Sequence, residues 1–547
     1  MFGFSRRIRG MKTQWEGRIC EIVGELQAEG LIPVFVVPEI LVEWTRDERH
    51  GEYATNAALV LAKLAHTSPM ELANLISGKL SSFEGAVVEV AAPGYINMTL
   101  TLDAMTSVVG EVISRGGGYG DNTLGNGTTV NNEFISANPT GPMHLGNGRG
   151  GFYGDALSNV LRKVGFTVTS EYYVNDAGEQ VMKLGHSVFR DGESVYAGGY
   201  IEEIREALSI GDEPDADDAR VREVGTKAAA FVLEEYIKKT LDSKMKISFD
   251  SFISERKDIV ENGFPDRAIL TMKDKGLAFE QDGALWLRTT DFGDDKDRVL
   301  VKSDGTQTYF ATDCGYLLSK IERGSSRLIL TLGADHHGYV SRIRAAAKSL
   351  GFTGRFDIFI LQMVRLVKDG QEVRMSKRAG NVVTIDELVE LVGHDVARFF
   401  FLMLSLDTHM NFDLGLAEER SEKNPVYYVQ YAHARLSSIL RKAEEAGLTY
   451  DNADMSLLTH PKERGLCREL MSFPELCVEV AETGSVHKLP QYAIRLSDRL
   501  HSFYADCRVI DSEHPELSGS RLALVSAIRI VLAETLRLIG VSAPEKM

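Results

Sequence analysis

The spacing of apolar residues divides the chain of 547 residues into three parts. In the N-terminal part, short apolar runs alternate with helical spacing, which predicts a small α/β unit. The predicted elements are a helix from about Lys12, an apolar strand over residues 31–37, a helix from Tyr53, a further helix begun by a capping box of Ser68 and Glu71, and two strands over residues 86–90 and 95–100. The glycine-rich stretch 116–127 then predicts a linker.

Strand-like and helical segments alternate in the middle part, from about residue 130 to residue 413. This alternation predicts a parallel sheet with helices on its faces, and ligands of such sheets bind beyond the carboxyl ends of the strands. The candidate strands are residues 130–135, 167–173, 327–332 and 357–362.

After about residue 415 the strand signals end, and two apolar stripes with helical spacing predict an all-α bundle. The stripes consist of Val429, Ala432, Leu436, Ile439 and Leu440, and of Leu524, Ile528, Val531, Leu532 and Leu538. We therefore expect a multidomain α/β chain with domains at residues 1–115, 128–413 and 414–547.

The most distinctive chemistry lies where the first strand of the middle part meets the following helix. Residues 137–150, ANPTGPMHLGNGRG, place His144 among several glycines. At a helix N-terminus the first N–H groups lack intrahelical partners and the helix dipole is positive, so a phosphate is favoured there. We expect His144 to donate a hydrogen bond to a phosphoryl oxygen of a triphosphate. Taken alone, the segment also fits an ordinary turn with a polar histidine.

A second segment, RMSKRAGN at residues 374–381, favours the first interpretation. It contains Lys377 and Arg378 and precedes a predicted helix from Thr384. A single basic tetrapeptide is usually a solvated loop. Together, in this order and about 230 residues apart, the two segments resemble the HIGH and KMSK signatures of class I aminoacyl-tRNA synthetases.

Composition limits the partners and the cellular setting. With 61 basic and 78 acidic residues the net charge is −17, which predicts solubility and no general affinity for polyanions. A nucleic-acid partner would have to contact a local basic surface. The five cysteines are scattered without a CxxC pair, so we expect neither a disulfide framework nor zinc. Because no apolar stretch approaches the length of a membrane span, we expect a cytoplasmic protein without membrane contact.

Several further segments resemble the bacterial arginyl-tRNA synthetases, and this resemblance covers essentially the whole chain. The matching segments are residues 52–63, 136–147, 171–180, 293–313, 333–339, 374–381, 424–435 and the terminal VSAPEKM. The resemblance implies a Rossmann-like catalytic domain at residues 128–413, an N-terminal accessory domain that contacts tRNA, and a DALR-type anticodon-binding domain. The expected enzyme is a monomer that activates L-arginine with ATP and Mg²⁺ to arginyl-adenylate. It then transfers arginine to the 3′ end of tRNA(Arg), and such enzymes usually need tRNA for the activation step.

The resemblance also implies roles for individual residues. The signature region comprises Ala137, Asn138, Pro139, Thr140, Gly141, Pro142, Met143, His144, Leu145, Gly146 and Asn147. The expected catalytic residues are His144 and Lys377, and the expected ATP contacts are His144, Gly146, Asn147, Asp335, His336, Met375, Ser376 and Lys377. Asn147 departs from the family signature, because an amide replaces the second histidine and cannot carry a positive charge. The adjacent His336 and His337 have no accompanying ligand cluster in the sequence, so we do not expect a metal there.

The expected arginine contacts are Asn138, Tyr309, Asp313 and Glu255. A planar guanidinium is best bound by a carboxylate that accepts two parallel hydrogen bonds. Tyr309 and Asp313 are spaced i, i+4 in a predicted helix and therefore share one face. Asn138 matches the family position that holds the α-amino group. Glu255 fits equally well as a substrate contact or as a surface ion pair.

Two alternatives remain open from the sequence. A catalytically silent paralogue could bind tRNA or arginine, although such a protein would be expected to lose some of the site residues retained here. A synthetase for cysteine or glutamate is the other alternative. The absence of a zinc-binding cysteine set opposes a cysteine enzyme, and the pair Tyr309 and Asp313, together with the N-terminal unit, opposes a glutamate enzyme. Tyr427, Tyr428 and Tyr431 could either stack on anticodon bases or belong to the core.

Overall fold

A computed structural model describes residues 11–45, 47–81, 85–211, 213, 216–373 and 383–547. The N-terminal unit is a sheet with the strand order β1-β2-β4-β3, whose neighbouring strands are antiparallel, and helices pack against it. Its elements are α1 (Met11–Ala28), β1 (Val42–Trp44), β2 (Tyr53–Thr55), α2 (Ala57–Leu61), α3 (Pro69–Leu80), β3 (Ala86–Ala91), β4 (Tyr95–Leu100) and α4 (Leu102–Arg115). The predicted α/β unit and its strand pair β3–β4 are confirmed.

Two details of the prediction for this unit are wrong. Residues 31–37 form no strand but an extended loop between α1 and β1, in which Val34 and Val36 are 84% and 92% exposed. Pro33 and Pro38 flank these valines and lack the N–H groups that a sheet ladder requires. The helix predicted from Tyr53 begins later, because Tyr53 lies in β2, which pairs with β1 and β4.

The start of α3 follows the prediction in part. The hydroxyl oxygen of Ser68 accepts a hydrogen bond from the backbone N–H of Glu71 at 3.2 Å, and Pro69 occupies the first turn. The Glu71 carboxylate accepts a hydrogen bond from the hydroxyl of Thr67 at 2.7 Å, and not from the Ser68 backbone. The capping box is therefore replaced by a serine cap and a neighbouring threonine contact.

The middle part contains the predicted parallel sheet. Among the described residues the sheet has the strand order β12-β11-β5-β6-β7, and every neighbouring pair is parallel. The elements are β5 (Thr129–Glu133), α5 (Leu145–Lys163), β6 (Thr167–Val174), α6 (Gly178–Phe189), α7 (Gly199–Leu208), α8 (Asp218–Val232), β7 (Ser251–Ser254), α9 (Phe264–Asp274), β8 (Ala278–Gln281), β9 (Ala284–Leu287), β10 (Arg298–Val301), α10 (Tyr309–Glu322), β11 (Arg327–Gly333), α11 (Val340–Leu350), β12 (Arg355–Leu361), β13 (Val364–Lys368), β14 (Gln371–Glu372), α12 (Ile385–Val392), α13 (His394–Leu402), β15 (Met410–Asp413) and α14 (Leu414–Glu418).

The four candidate strands correspond to β5, β6, β11 and β12, while β7 was not predicted. Strand order reverses between β5 and β11, because β6 and β7 extend the sheet on one side and β12 on the other. In open parallel sheets a ligand crevice forms at such a switch point, beyond the carboxyl ends of the strands. The segment after β5 is the signature region, so the topology places it at this crevice.

The described C-terminal residues form a helical bundle with α15 (Pro425–Glu445), α16 (Pro461–Thr483), α17 (Lys488–Asp506) and α18 (Pro515–Leu538). Both predicted apolar stripes pack into its core, with Ile439 and Leu440 only partly buried. None of the helices in the described part of the chain is long and apolar enough to cross a membrane.

The N-terminal unit docks on this bundle at a proline. Pro474 lies inside α16 and has no N–H, so the carbonyl of Leu470 lacks its helical partner. The Tyr119 hydroxyl donates to that carbonyl at 2.9 Å. The next residue, Glu475, accepts hydrogen bonds from the Trp44 indole at 2.6 Å and from a backbone N–H at the start of α1 at 3.0 Å. Polar contacts therefore join the two units where α16 lacks a backbone donor.

Candidate active site

The chain leaves β5 through an unusual backbone conformation before it enters the signature region. Ile135 and Ser136 have φ values of 66° and 41°, in the left-handed region that β-branched residues rarely adopt. The Ser136 hydroxyl donates to Glu133 at 3.2 Å and accepts from the backbone N–H of Tyr173 at 3.1 Å. Strain of this kind persists where the surroundings hold it and is concentrated at functional sites.

The side chains of His144 and Asn147 cap the first turn of α5 by accepting hydrogen bonds from backbone N–H groups of that turn. His144 Nδ1 accepts a hydrogen bond from the N–H of Gly146 at 3.1 Å. Asn147 Oδ1 accepts one from the N–H of His144 at 3.0 Å. Because Nδ1 is an acceptor, the ring proton of the neutral imidazole lies on Nε2. His144 is exposed in the open pocket, but the surrounding protein removes enough water to lower its pKa, which favours this neutral form. Sequence reasoning missed the capping role of Asn147, although its position three residues after the cap is typical of a capping box.

One cavity of about 1020 Å³ lies beyond the carboxyl ends of β5 and β11. It brings together the predicted residues Asn138, His144, Gly146, Asn147, Glu255, Tyr309, Asp313, Asp335 and His336, with Ala137, Thr140, Gly141 and Pro142 of the signature region. Met143 and Leu145 are instead buried in the core, and Pro139 does not line the cavity. Met375, Ser376 and Lys377 lie outside the described residues.

Two carboxyl groups form one end of this cavity. Asp313 is on the first turns of α10, and Glu255 begins a π-helical turn directly after β7. Tyr173 donates to Glu255 Oε2 at 2.8 Å, and Tyr339 donates to Asp313. Burial, reinforced by the charge of Glu255, raises the pKa of Asp313 to about 7, although the Tyr339 hydrogen bond opposes this shift. Burial also raises the pKa of Glu255. Among the described residues neither carboxyl forms an ion pair, so this end of the cavity suits a cationic group.

Tyr309 covers the same end from the surface. Its side chain is 61% exposed, and its hydroxyl lies beside Gly178, where an added Cβ would approach within 3.1 Å. Gly178 has a φ of 70°, which a side chain would also disfavour. The predicted shared face of Tyr309 and Asp313 is consistent with both residues lining the cavity.

Below the carboxyl pair lies a buried ionic network that sequence reasoning did not identify. Lys320 Nζ is 2.5 Å from Glu133 and 3.5 Å from Glu171, and Arg323 also pairs with Glu171. Although burial acts in the opposite direction, these cations lower the pKa of Glu171 to about 2. Glu133 ends β5 and lines the cavity. In the sequence, Glu133 could have been noticed as an acidic residue at the carboxyl end of an otherwise buried strand.

The other walls of the cavity come from β11 and β12. Asp335 and His336 follow β11 with exposed side chains, and His336 Nε2 is 3.5 Å from Asp335 Oδ2. Gln362 and Met363 follow β12 and line the cavity as well. The cavity is therefore lined both by buried carboxyl groups and by the N-terminus of α5.

Comparison with known proteins identifies the class to which this fold and site belong. The catalytic-domain model described as "tRNA synthetases class I (R), catalytic domain" matches residues 216–398. The models "Arginyl tRNA synthetase N terminal domain" and "DALR anticodon binding domain" match residues 18–100 and 429–547. A parallel sheet with its cavity at the strand switch point, together with these matches, defines a class I aminoacyl-tRNA synthetase.

Full-length relatives narrow this assignment. The chain is 44% identical to the arginine–tRNA ligase of Geobacillus kaustophilus (strain HTA426) over 95% of this chain and 96% of that protein. It is 41% identical to the arginine–tRNA ligase of Bacillus subtilis (strain 168) over 96% and 98% of the two chains. The arginyl-tRNA synthetase of Thermus thermophilus, at 21% identity, shares the fold with a TM-score of 0.75 over 98% of this chain and 100% of that one. The chain belongs to the arginyl-tRNA synthetase family. The predicted ligase function is confirmed, and no comparison supports a silent paralogue.

Proposed function

We propose that the cavity beyond β5 and β11 binds L-arginine and ATP side by side and joins them as arginyl-adenylate. The observation that carries this proposal is the asymmetry of the cavity. Its lining includes Asp313 and Glu255, which have no ion-pair partner among the described residues, and also the capped N-terminus of α5. A cation would therefore bind at the carboxyl groups and a phosphate at the α5 N-terminus of the same cavity.

At the acidic end, Asp313 binds the guanidinium through paired hydrogen bonds, and Tyr309 covers the side chain. Glu255 supplies a second acceptor from the neighbouring element. A planar group with five donors needs several fixed acceptors, and Arg is distinguished from Lys by this geometry. Asn138 holds the α-amino group, because its amide oxygen accepts while its nitrogen donates.

Near the α5 N-terminus, His144 donates from Nε2 to a phosphoryl oxygen, and the side-chain amide of Asn147 offers a further donor from the same turn. Gly146 has no side chain, so the phosphate can approach this turn closely. Asp335 and His336 hold the adenosine. Lys377, with Met375 and Ser376, lies outside the described residues, and its role in neutralising the leaving pyrophosphate is proposed from the sequence pattern alone. Mg²⁺ prefers oxygen ligands, and the triphosphate and the exposed carboxylate of Asp335 would supply them. The bound ion would neutralise negative charge on the phosphates.

The arginine carboxylate attacks the α-phosphorus of ATP, an O–P bond forms, and pyrophosphate leaves with the electron pair of the broken bond. A hydroxyl of the terminal ribose of tRNA(Arg) then attacks the arginyl carbonyl carbon, and AMP leaves. Neither step requires a covalent bond to the enzyme. The protein contributes by aligning the reactants and by placing donors where negative charge grows.

The domain boundaries 1–115, 128–413 and 414–547 belong to the same proposal. The N-terminal domain contacts the outer corner of tRNA(Arg), and the helical domain contacts its anticodon. Tyr431 is 52% exposed and available for stacking, whereas the Tyr428 hydroxyl donates to Asp498 at 2.6 Å. We further propose a monomer that functions in the cytoplasm without membrane contact.

ATP–pyrophosphate exchange tests this function. Exchange is measured with arginine in the presence and absence of tRNA(Arg), and we expect arginine-dependent exchange that tRNA strongly stimulates. Absence of exchange under both conditions would contradict the proposal. In a second measurement, Asp313→Asn is assayed for aminoacylation with arginine, citrulline and lysine. Retained preference for arginine over citrulline would remove Asp313 from the binding site.

A further inference from the structure

Arg149 lies five residues after His144 in α5 and is fully buried. Its guanidinium donates hydrogen bonds to three backbone carbonyls from distant parts of the chain. Nη1 donates to Gln362 and to Thr408, both at 3.0 Å, and Nη2 donates to Ser405 at 2.7 Å. The side chain therefore links the signature helix to two segments more than 200 positions away.

This arrangement is costly for a charged group. Burial lowers the pKa of Arg149 to about 10, and the charge of Asp407 only partly opposes this shift. Among the described residues no carboxylate forms an ion pair with Arg149. A buried charge that is satisfied only by neutral carbonyls costs free energy that an apolar side chain of similar volume would not. The geometry of its donors, and not apolar packing, explains an arginine at this position.

The carbonyls that Arg149 binds belong to the wall of the cavity and to its support. Gln362 and Met363 line the cavity, as do His144 and Asn147 on the first turn of α5. The segment 405–410 pairs with this wall, because the Gln362 N–H donates to the Leu406 carbonyl at 2.9 Å and the Met410 N–H donates to the Met363 carbonyl at 3.1 Å. The Arg149 guanidinium thus holds both the Gln362–Met363 wall and the segment 405–410 against α5.

We propose that Arg149 is a positioning residue for adenylate formation, which sets the distance between the His144 turn and the Gln362–Met363 wall. The inference rests on the proposed use of this cavity for ATP. Arg149 does not line the cavity, so it acts through the groups that it holds. Misplacing reacting groups by as little as 1 Å can slow a reaction substantially, which is why a rigid link matters here.

Arg398 provides a matched control. It is buried to the same extent, pairs with Asp155 of α5, and donates to the backbone carbonyl of Ile539 near the C-terminus. Its contacts thus join α5 to the C-terminal region and do not involve the Gln362–Met363 wall. Arg398→Lys therefore perturbs an equally buried arginine, on α13, that also contacts α5 but lacks the proposed positioning role.

The first test uses Arg149→Lys, which keeps the charge but cannot reach three separated carbonyls with one ammonium group. Exchange is measured with tRNA(Arg) present, and arginine binding is measured by calorimetry. We expect kcat to fall about tenfold and the KM for ATP to rise, while the Kd for arginine stays within about twofold. Unchanged exchange kinetics in a folded Arg149→Lys protein would overturn the inference.

A double-mutant cycle with His144→Ala separates positioning from general destabilisation. If Arg149 acts through the His144 turn, Arg149→Lys lowers kcat by less than about twofold in the His144→Ala background. Arg398→Lys should give effects that multiply with those of His144→Ala. Fully multiplicative effects of Arg149→Lys and His144→Ala would contradict the proposed role. A normal rate for His144→Ala alone would instead contradict the proposed function of the cavity.

If Arg149→Lys does not fold, the double variant Ser405→Gly/Thr408→Gly tests the positioning role of Arg149 instead. It leaves the arginine in place but increases the backbone freedom of the loop that supplies two of its acceptors. We expect a smaller loss in kcat with the same non-multiplicative pattern and an unchanged Kd for arginine. Exchange kinetics equal to those of the unmodified chain, or fully multiplicative losses, would overturn the inference.

Discussion

Arginine binding should depend on pH because the acidic end of the cavity is partly protonated before the ligand arrives. Burial and the nearby charge of Glu255 raise the pKa of Asp313 to about 7. A guanidinium pairs with the ionised carboxylate, so binding must shift this group toward its ionised form. Lowering the pH below 7 is therefore expected to weaken arginine binding, and binding near pH 7 should release protons.

The expected size of this effect follows from the titration. With a pKa of about 7, roughly nine-tenths of Asp313 is ionised at pH 8 and roughly one-tenth at pH 6. The apparent Kd for arginine should thus rise about tenfold between these pH values, equivalent to ~1.4 kcal/mol of binding free energy. Because Glu255 interacts with Asp313, the measured midpoint belongs to the pair of carboxyls.

Isothermal titration calorimetry at pH 6, 7 and 8, in buffers of different ionisation enthalpy, measures both the Kd and the protons released. Tyr339→Phe provides a directional check. The Tyr339 hydrogen bond lowers the pKa of Asp313, so its removal should raise that pKa and move the binding midpoint to higher pH. A Kd that is constant within twofold from pH 6 to pH 8, with no proton release, would refute this reasoning.

Three further predictions concern catalysis and stability. Lys377→Ala should slow adenylate formation by orders of magnitude with little change in arginine binding. Single-turnover kinetics measure the first quantity and calorimetry the second. An equal loss of arginine binding would argue against the proposed role of Lys377. Asp313→Asn should raise the melting temperature of the ligand-free protein at pH 8 by about 2 °C. The raised pKa of Asp313 makes the folded state less stable as the pH rises from about 4 through 7, and the asparagine removes this loss. Calorimetry should show the difference in melting temperature shrinking toward pH 4, and equal melting temperatures at pH 8 would contradict the prediction. Tyr119→Phe leaves the Leu470 carbonyl unsatisfied and should lower the free energy of unfolding by about 1 kcal/mol in urea titrations, with the Kd for arginine unchanged.

The errors at the sequence level have a common physical origin. Residues 31–37 have the apolar character of a strand, but pairing depends on backbone donors, which Pro33 and Pro38 lack, and on a neighbouring strand, which local composition does not show. Tyr53 begins an apolar stretch that fits a helix, yet its backbone pairs with β1 and β4. Apolar character therefore did not produce a strand where a pairing partner was absent, and tertiary pairing overrode helical spacing at Tyr53.

The site shows the same division for residues that matter to chemistry. By sequence comparison, Asn147 replaces the second signature histidine and cannot carry its positive charge. In the structure its side chain accepts the His144 N–H, so this position also shapes the helix terminus that faces the nucleotide. The role of Glu133 is not evident from the sequence, because it depends on the ion pair with Lys320, which lies on α10. The His144–Asn147 relation has the spacing of a capping box and is visible in the local sequence, whereas the Glu133–Lys320 pair is not.

Local sequence alone specified the parallel-sheet strands β5, β6, β11 and β12, the helical C-terminal region and the glycine-rich turn at His144. These features follow from periodicity and from backbone preferences that act over a few residues. The three-dimensional fold decided the ionisation of Asp313 and the acceptors of Arg149, because burial and electrostatic fields arise from groups on separate elements. The Arg149 contacts join residues 213 to 259 positions apart, whereas local sequence patterns extend over only a few residues.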